Sequence, residues 1–430
     1  MKATYAGVFL AALVEGAVTR RQNLVPRYSN VTAPPSPPPP EGAFFTLHQI
    51  ENQDFNGHDG AMAFMHAHIK YGDKLPDEIS NALEANPKLR AKLKLLGPAY
   101  RQKGTVSSLP SPGIDSEYSI VVQMGMPPQS IPLNLDTGSS DLWSMSTDTL
   151  PSMVNGQAVY RPANSFTSKR MDGSTWKIKY GDDASADGIV YIDRVQIGET
   201  FVEHQAIEAA IHVSQDVSSD KFVSGILGMA NSAANTVRPV PQKTYIDNIK
   251  SQLALPLFTA NLRSKAPGNY NFGYINQTEY IGEIKYTDID LFTPFWKIAS
   301  TGYRVGNFEQ KFVIDAIVDT GTSLMLLPQN VVMDYWSKVP GAYLDPQQGM
   351  MIFPCAQPLP DFELVINQYY GRVPGSYMNY GKVSDTSCFG GIQSSEGLPF
   401  SVLGDVFLKA QFVVFNYESA AVGLANKVLQ

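Results

Sequence analysis

Leu133-Asn134-Leu135-Asp136-Thr137-Gly138-Ser139-Ser140 and Ala316-Ile317-Val318-Asp319-Thr320-Gly321-Thr322-Ser323 are two copies of one element. Each runs from a mostly apolar stretch into Asp-Thr-Gly and then into two hydroxyl residues. The aspartates lie 183 positions apart. A single Asp-Thr-Gly reads as a surface turn, because Asp and Gly are ordinary turn residues. The same extended motif twice, at a spacing of one lobe's length, is not a product of average residue usage. Two matched carboxylates, each on a tight strand-to-turn element, predict a site assembled from two halves of one molecule.

The duplication extends outward from the motifs. Ile226-Leu227-Gly228 ends 90 positions after Gly138, and Val402-Leu403-Gly404 ends 83 positions after Gly321. Either tripeptide alone carries no signal; the near-equal spacing does. From about Thr105 the texture is strand-like runs broken by Gly and Pro: Tyr118–Met124, Ile131–Leu135, Trp176–Tyr180 and Ile189–Ile197. Helical patterns in this region are few, at Tyr245–Gln252 and Val331–Lys338. The spacing therefore predicts a mainly β, bilobal body.

The residue types state the chemistry. Two carboxylates brought within hydrogen-bond distance do not both ionise easily, so they share a proton over a wide pH range. One then serves as base to a water while the other, as acid, polarises a carbonyl. Gly138 and Gly321 allow close backbone approach and N–H donation to the carboxylates. Thr137 and Thr320 are placed to bond across the axis. Ser139 and Thr322 are placed to donate to the outer carboxylate oxygens. Such bonds favour the ionised form and predict function in acid.

Bulk properties narrow the remaining classes. The 430 residues are 43% hydrophobic, enough for a sizeable core and more than one compact unit. Net charge is −7, unevenly spread: residues 1–104 carry +3 and residues 105–430 carry −10. A basic head on an acidic body suggests an intramolecular electrostatic mask; a chance fluctuation is the alternative. The body has no Lys/Arg stripe, so nucleic acid is not an expected partner. His is scarce, and neither a His-Glu-x-x-His nor a paired Cys-x-x-Cys motif occurs, so no metal or cofactor is expected. Cys355 and Cys388, 33 positions apart, read as one disulfide if the chain is exported; two buried thiols are the alternative.

The first residues favour export. Lys2 precedes an apolar run from Tyr5 to Val14, followed by the small residues Gly16 and Ala17, which fits a signal peptide over residues 1–17. The run is too short to span a membrane. Asn30-Val31-Thr32 and Asn276-Gln277-Thr278 are glycosylation sequons if the chain enters the secretory route. Ala33 to Pro40 is a stiff polyproline spacer. After it, Ala61–Tyr71 and Pro76–Leu96 read as helices, the second interrupted at Asn86-Pro87.

These residues resemble a known family. Asp136-Thr-Gly-Ser-Ser-Asp-Leu-Trp143 and Asp319-Thr-Gly-Thr-Ser look like the two active-site motifs of pepsin-like aspartic endopeptidases. The resemblance covers about residues 113–426, including Val402-Leu-Gly-Asp-Val-Phe407 and Val422-Gly-Leu-Ala425. The single cysteine pair is similar to the fungal secreted members. The resemblance implies a bilobal β fold, an N-terminal catalytic lobe over 105–280, a C-terminal lobe over 281–430, and a cleft for an extended polypeptide. It implies a monomer and inhibition by pepstatin-type compounds. Bulky apolar substrate residues are expected around the scissile bond, since an uncharged cleft loses least by burying them.

Tyr180-Gly181-Asp182 looks like the family's flap, with Tyr180 bonding Trp143 over the substrate and Ile226 lining the site. Asp183 and Ala184 depart from the common Gly-Ser there, and Ser224 replaces the usual Asp before Gly-Ile-Leu-Gly. An ionised Asp182 would favour a basic residue before the scissile bond; a solvated turn carboxylate is the alternative. Residues 18–104 resemble a propeptide, in which Lys70 and Tyr71 would plug the dyad; a solvated helix end is the alternative. Processing is expected near Arg101 to Thr105. The reading is a secreted acid protease made as a zymogen. A vacuolar location and a catalytically dead binding protein of the same fold are the rivals.

Overall fold

The computed structural model describes residues 42–53, 55, 57, 59–72, 75–93, 118–180, 183–366 and 368–429. The leader, the polyproline spacer, Asn30, the processing region, Gly181 and Asp182 lie outside the described residues.

Among the described residues the fold is mainly β, in five sheets. The largest has eight strands, and a further pairing of Tyr118–Met124 with Asp183–Ile197 closes it partly on itself. Within it, Gln129–Asp136 lies parallel to Gly225–Gly228, with Asp136 opposite Gly228. Gly225–Gly228 in turn pairs antiparallel with Leu142–Met145, which lies parallel to Thr200–Val213. A five-stranded sheet repeats this order. Asp315–Val318 lies parallel to Ser401–Leu403, which pairs antiparallel with Met325–Leu327, itself parallel to Ile392–Ser394. The apolar-apolar-Gly elements are thus the strands beside the two Asp-Thr-Gly strands. Buried on both faces, these strands read as near-continuous apolar runs.

A six-stranded sheet draws strands from both halves: Leu257–Asn261 and Asn269–Phe272 from the first, Gln411–Asn416 and Ala421–Asn426 from the second. Its core is aromatic, with Phe258 stacked between Phe272 and Phe415. Phe45–His48 from the head is one edge strand, paired with Asn269–Phe272, and Ile281–Asp288 is the other. Three helices follow it: α1 (Gly60–Tyr71), α2 (Asp77–Ala85) and α3 (Pro87–Leu93). The Asp59 side chain caps α1 by accepting from the Met62 amide. Asn86 and Pro87 separate α2 from α3, since Pro starts a helix readily and the residue before it avoids helical geometry. Phe64, Met65 and Ala67 of α1 and Ile79 of α2 join the main hydrophobic core. Cys355, just after the strand Met350–Pro354, forms a disulfide with Cys388 on the neighbouring strand Ser387–Gly390.

Candidate active site

The Asp136 and Asp319 loops meet where the two halves face each other. The Thr137 amide donates to Thr320 Oγ1 at 3.1 Å, and the Thr320 amide donates to Thr137 Oγ1 at 3.0 Å. Each hydroxyl donates onward to the opposite half: Thr137 to the Val318 carbonyl at 2.8 Å, Thr320 to the Leu135 carbonyl at 2.7 Å. Both threonines are buried, so losing either bond strands a polar group away from water.

The carboxylates receive matched donors. The Gly138 amide donates to Asp136 Oδ1 and the Gly321 amide to Asp319 Oδ1, each at 2.8 Å. Ser139 Oγ donates to Asp136 Oδ2 and Thr322 Oγ1 to Asp319 Oδ2, each at 2.5 Å. Glycine is required at both turns by crowding: a Cβ on Gly138 would collide with the Asp319 carboxylate and the Tyr71 hydroxyl, and one on Gly321 with the Asp136 carboxylate.

Two residues at the end of α1 reach this pair. Lys70 Nζ lies 2.9 and 3.0 Å from the Asp136 oxygens and 3.2 and 3.5 Å from those of Asp319. The Tyr71 hydroxyl donates to Asp319 Oδ2 at 2.6 Å, and its ring meets Phe295 and Phe400 edge-on. Burial is the largest influence on Asp136 and pushes its carboxyl up; the neighbouring Asp319 adds to this against the pull of Lys70. Burial also pushes Asp319 up, but the Lys70 ammonium and hydrogen bonds from Asp136, Thr322 and Tyr71 outweigh it and hold the group down at about 2. The pair titrates as one unit, and its proton belongs to both carboxyls.

A cavity of about 220 Å³ beside the pair is lined by Lys70, Asp136, Trp143 and Ile226, among others. Trp143 and Ile226 face each other across neighbouring strands, and Trp143 stacks on Trp176. Among the described residues the buried Trp143 Nε1 has no hydrogen-bond partner. Tyr180 ends the strand Lys169–Tyr180, opposite Asp183. The two strands pair antiparallel. Asn276 lies distant in sequence from the dyad, at the cap of a short turn, where its side chain accepts from the Thr278 amide and bonds Glu279.

A family model described as eukaryotic aspartyl protease matches residues 117–427. The chain belongs to this family. It is an aspartic-type endopeptidase, a hydrolase acting on polypeptides. It is 41% identical over 387 residues to endothiapepsin of Cryphonectria parasitica, covering 89% of this chain and 90% of that one. It is 41% identical over 400 residues to aspergillopepsin-1 of Aspergillus fumigatus, covering 92% and 95%. A crystal structure of an aspartic proteinase from Irpex lacteus matches the fold with a TM-score of 0.60 at 23% identity, covering 74% of this chain and 95% of that one.

The protease also holds a buried acid cluster that the motif reading did not assemble. Asn235 Nδ2 donates to the Ser140 carbonyl, to Asp141 Oδ1 at 2.9 Å and to Glu208 Oε1 at 2.8 Å. Glu208 Oε2 is buried and meets no donor; protonated, it can donate to Asp141 itself. Burial raises both carboxyls, Asp141 to about 6 and Glu208 well above its ordinary value, with Asp141 adding to the shift of Glu208. The available signal was a lone acid in the apolar run Ala206-Ile207-Glu208-Ala209-Ala210.

Proposed function

We propose that this chain is the precursor of a secreted acid endopeptidase whose catalytic dyad is Asp136 and Asp319 and whose residues 18–104 are an inhibitory propeptide. The observation that carries the reading is Lys70 Nζ within 3.5 Å of all four dyad oxygens. A catalytic water needs this position, and a cation there neutralises the base that would activate it. In the released enzyme one carboxyl takes a proton from the water and the other polarises the scissile carbonyl. The resulting diol collapses as the proton passes to the leaving nitrogen, with no covalent enzyme intermediate. Gly138, Ser139, Gly321 and Thr322 keep both carboxylates aimed, and Thr137 and Thr320 tie the two loops together.

Acid is the release signal. Lys70 and Tyr71 help to hold Asp319 low, so their contribution to docking is present above the ordinary 3.8 and is lost as pH falls toward about 2. The strand pair at Tyr180 closes over the substrate and completes Trp143, whose buried indole N–H calls for an acceptor. Cleavage falls between bulky apolar residues, which the apolar side chains Trp143 and Ile226 favour. The leader at 1–17 and the disulfide support export, with Asn30 and Asn276 as glycan sites and lobes at 105–280 and 281–430. Partners are the chain's own propeptide and polypeptide substrates, and the enzyme acts as a monomer.

Incubating the purified chain at about pH 3–4 with denatured protein, with and without pepstatin, tests the reading. Peptide mapping is expected to show apolar cleavage sites and loss of the first ~104 residues, both abolished in D136N and D319N. Undiminished proteolysis by either variant would refute the dyad.

A further inference from the structure

The propeptide contact one helical turn before Lys70 marks a charged subsite. His66 Nε2 lies 2.6 Å from Asp216 Oδ2. His66 and Lys70 are four residues apart on α1, hence on one face and about 6 Å apart along the axis. Both line the cavity beside the dyad, together with Val217, the residue after Asp216. Asp216 sits in a short helix, α4 (Gln215–Ser219), and its side chain is 15% exposed with the propeptide in place. The Ser214 hydroxyl and the Val217 amide favour the ionised carboxylate, so part of its support belongs to the body and stays when α1 leaves; among the described residues its Oδ1 is buried with no hydrogen-bond partner. Among the described residues, His66 is the only basic side chain within salt-bridge distance of Asp216.

Removal of α1 therefore uncovers a carboxylate at the wall of the cavity next to the scissile bond, with its imidazole partner gone. Burying a lone carboxylate is costly, and the substrate side chain that enters in place of His66 determines whether it is paired. We infer that Asp216 is a specificity-determining residue of the mature protease, recognising a basic substrate side chain in the subsite that His66 fills in the precursor. The inference rests on the reading of α1 as a removable inhibitory segment. It predicts a protease that combines apolar preference at the scissile bond with a basic preference at one neighbouring position.

The test uses the processed enzyme and quenched peptides of one apolar sequence. Lys or Leu is placed in turn at each of the four residues on either side of the bond. The readout is the Lys-to-Leu ratio of kcat/KM at every position, for the wild type and for D216N. Removing one charge-assisted hydrogen bond from a half-buried site lowers the ratio about tenfold, through KM, at one position only. Ratios within twofold of the wild type at all positions would overturn the inference. A second measurement needs no variant: high NaCl is expected to lower the wild-type ratio at one position by screening the pair, and indifference to salt everywhere also overturns the inference. Sequencing the N-terminus of the active species keeps the two readings apart. A chain that cleaves the Leu peptide at full rate with residues 60–72 attached refutes the inhibitory role of α1, whatever the ratios show.

Discussion

Replacing Glu208 by Gln should remove much of the protein's sensitivity to neutral pH. Glu208, Asp141 and Asn235 form a buried cluster in which a shared proton satisfies the two carboxyls at acid pH. Burial raises Asp141 from an ordinary 3.8 to about 6. Below 3.8 the folded and unfolded chains both hold that proton. Between 3.8 and about 6 only the folded chain keeps it, so stability falls as pH rises through this window, and above 6 the contribution is gone. About two pH units at 1.36 kcal/mol each make roughly 3 kcal/mol from Asp141, and Glu208 shifts the same way. In E208Q the amide oxygen still accepts from Asn235, while the amide N–H donates to an ionised Asp141. Urea unfolding followed by Trp fluorescence from pH 4 to 7.5, in a D319N background that prevents self-cleavage, reads the difference. Trp143 lies directly opposite Glu208 on the neighbouring strand and reports on this region. The variant is expected to lose roughly 1–3 kcal/mol less than its parent between pH 4 and 7, the scale of one buried carboxyl that no longer ionises, while the share of Asp141, which burial causes, remains. An equal decline in both proteins would show that the cluster is not the titrating element.

Two further outcomes follow from other parts of the molecule. Lys70→Met removes one partner of a buried ion pair and should weaken propeptide docking by roughly 3 kcal/mol, so that the unprocessed chain cleaves a quenched peptide at pH 5, where the wild type is silent; equal silence of the two would argue against the plug. Cys388→Ser opens the 33-residue link to Cys355 and should cost about 3–4 kcal/mol of unfolding free energy in urea, with no change in the Lys-to-Leu preference.

The parts of the molecule that could be read from sequence are those whose cause is local. The Asp-Thr-Gly turns, their apolar lead-in strands and the Ile226-Leu227-Gly228 and Val402-Leu403-Gly404 strands carry their geometry in adjacent residues. Helix α1 also declared itself through its composition, as did the break at Asn86-Pro87. Elements made by distant partners did not. Phe45–His48 is a strand because Asn269–Phe272 lies beside it, more than two hundred residues on. The strands Lys169–Tyr180 and Asp183–Ile197 extend well before the runs Trp176–Tyr180 and Ile189–Ile197. Their outer parts, with Lys169, Arg170 and Asp187, lack apolar alternation and are held by pairing with Ile192, Tyr191 and Lys177 of the facing strand. Two helices shifted for a similar reason. Tyr245–Ile249 stops before Gln252, and Gln329–Trp336 begins directly after Pro328, which the apolar period alone does not register. The Asp141–Glu208–Asn235 cluster and the His66–Asp216 pair were illegible because each joins residues from separate elements.

The reciprocal threonine bonds have a consequence for inheritance. Thr137 completes the backbone of the second loop and Thr320 that of the first, so each half carries the instructions for the other's turn. Neither half, expressed alone, holds a finished half-site. Genetic drift in one copy is judged by its fit to the other, which ties two segments of one gene to a common fate although they lie 183 codons apart.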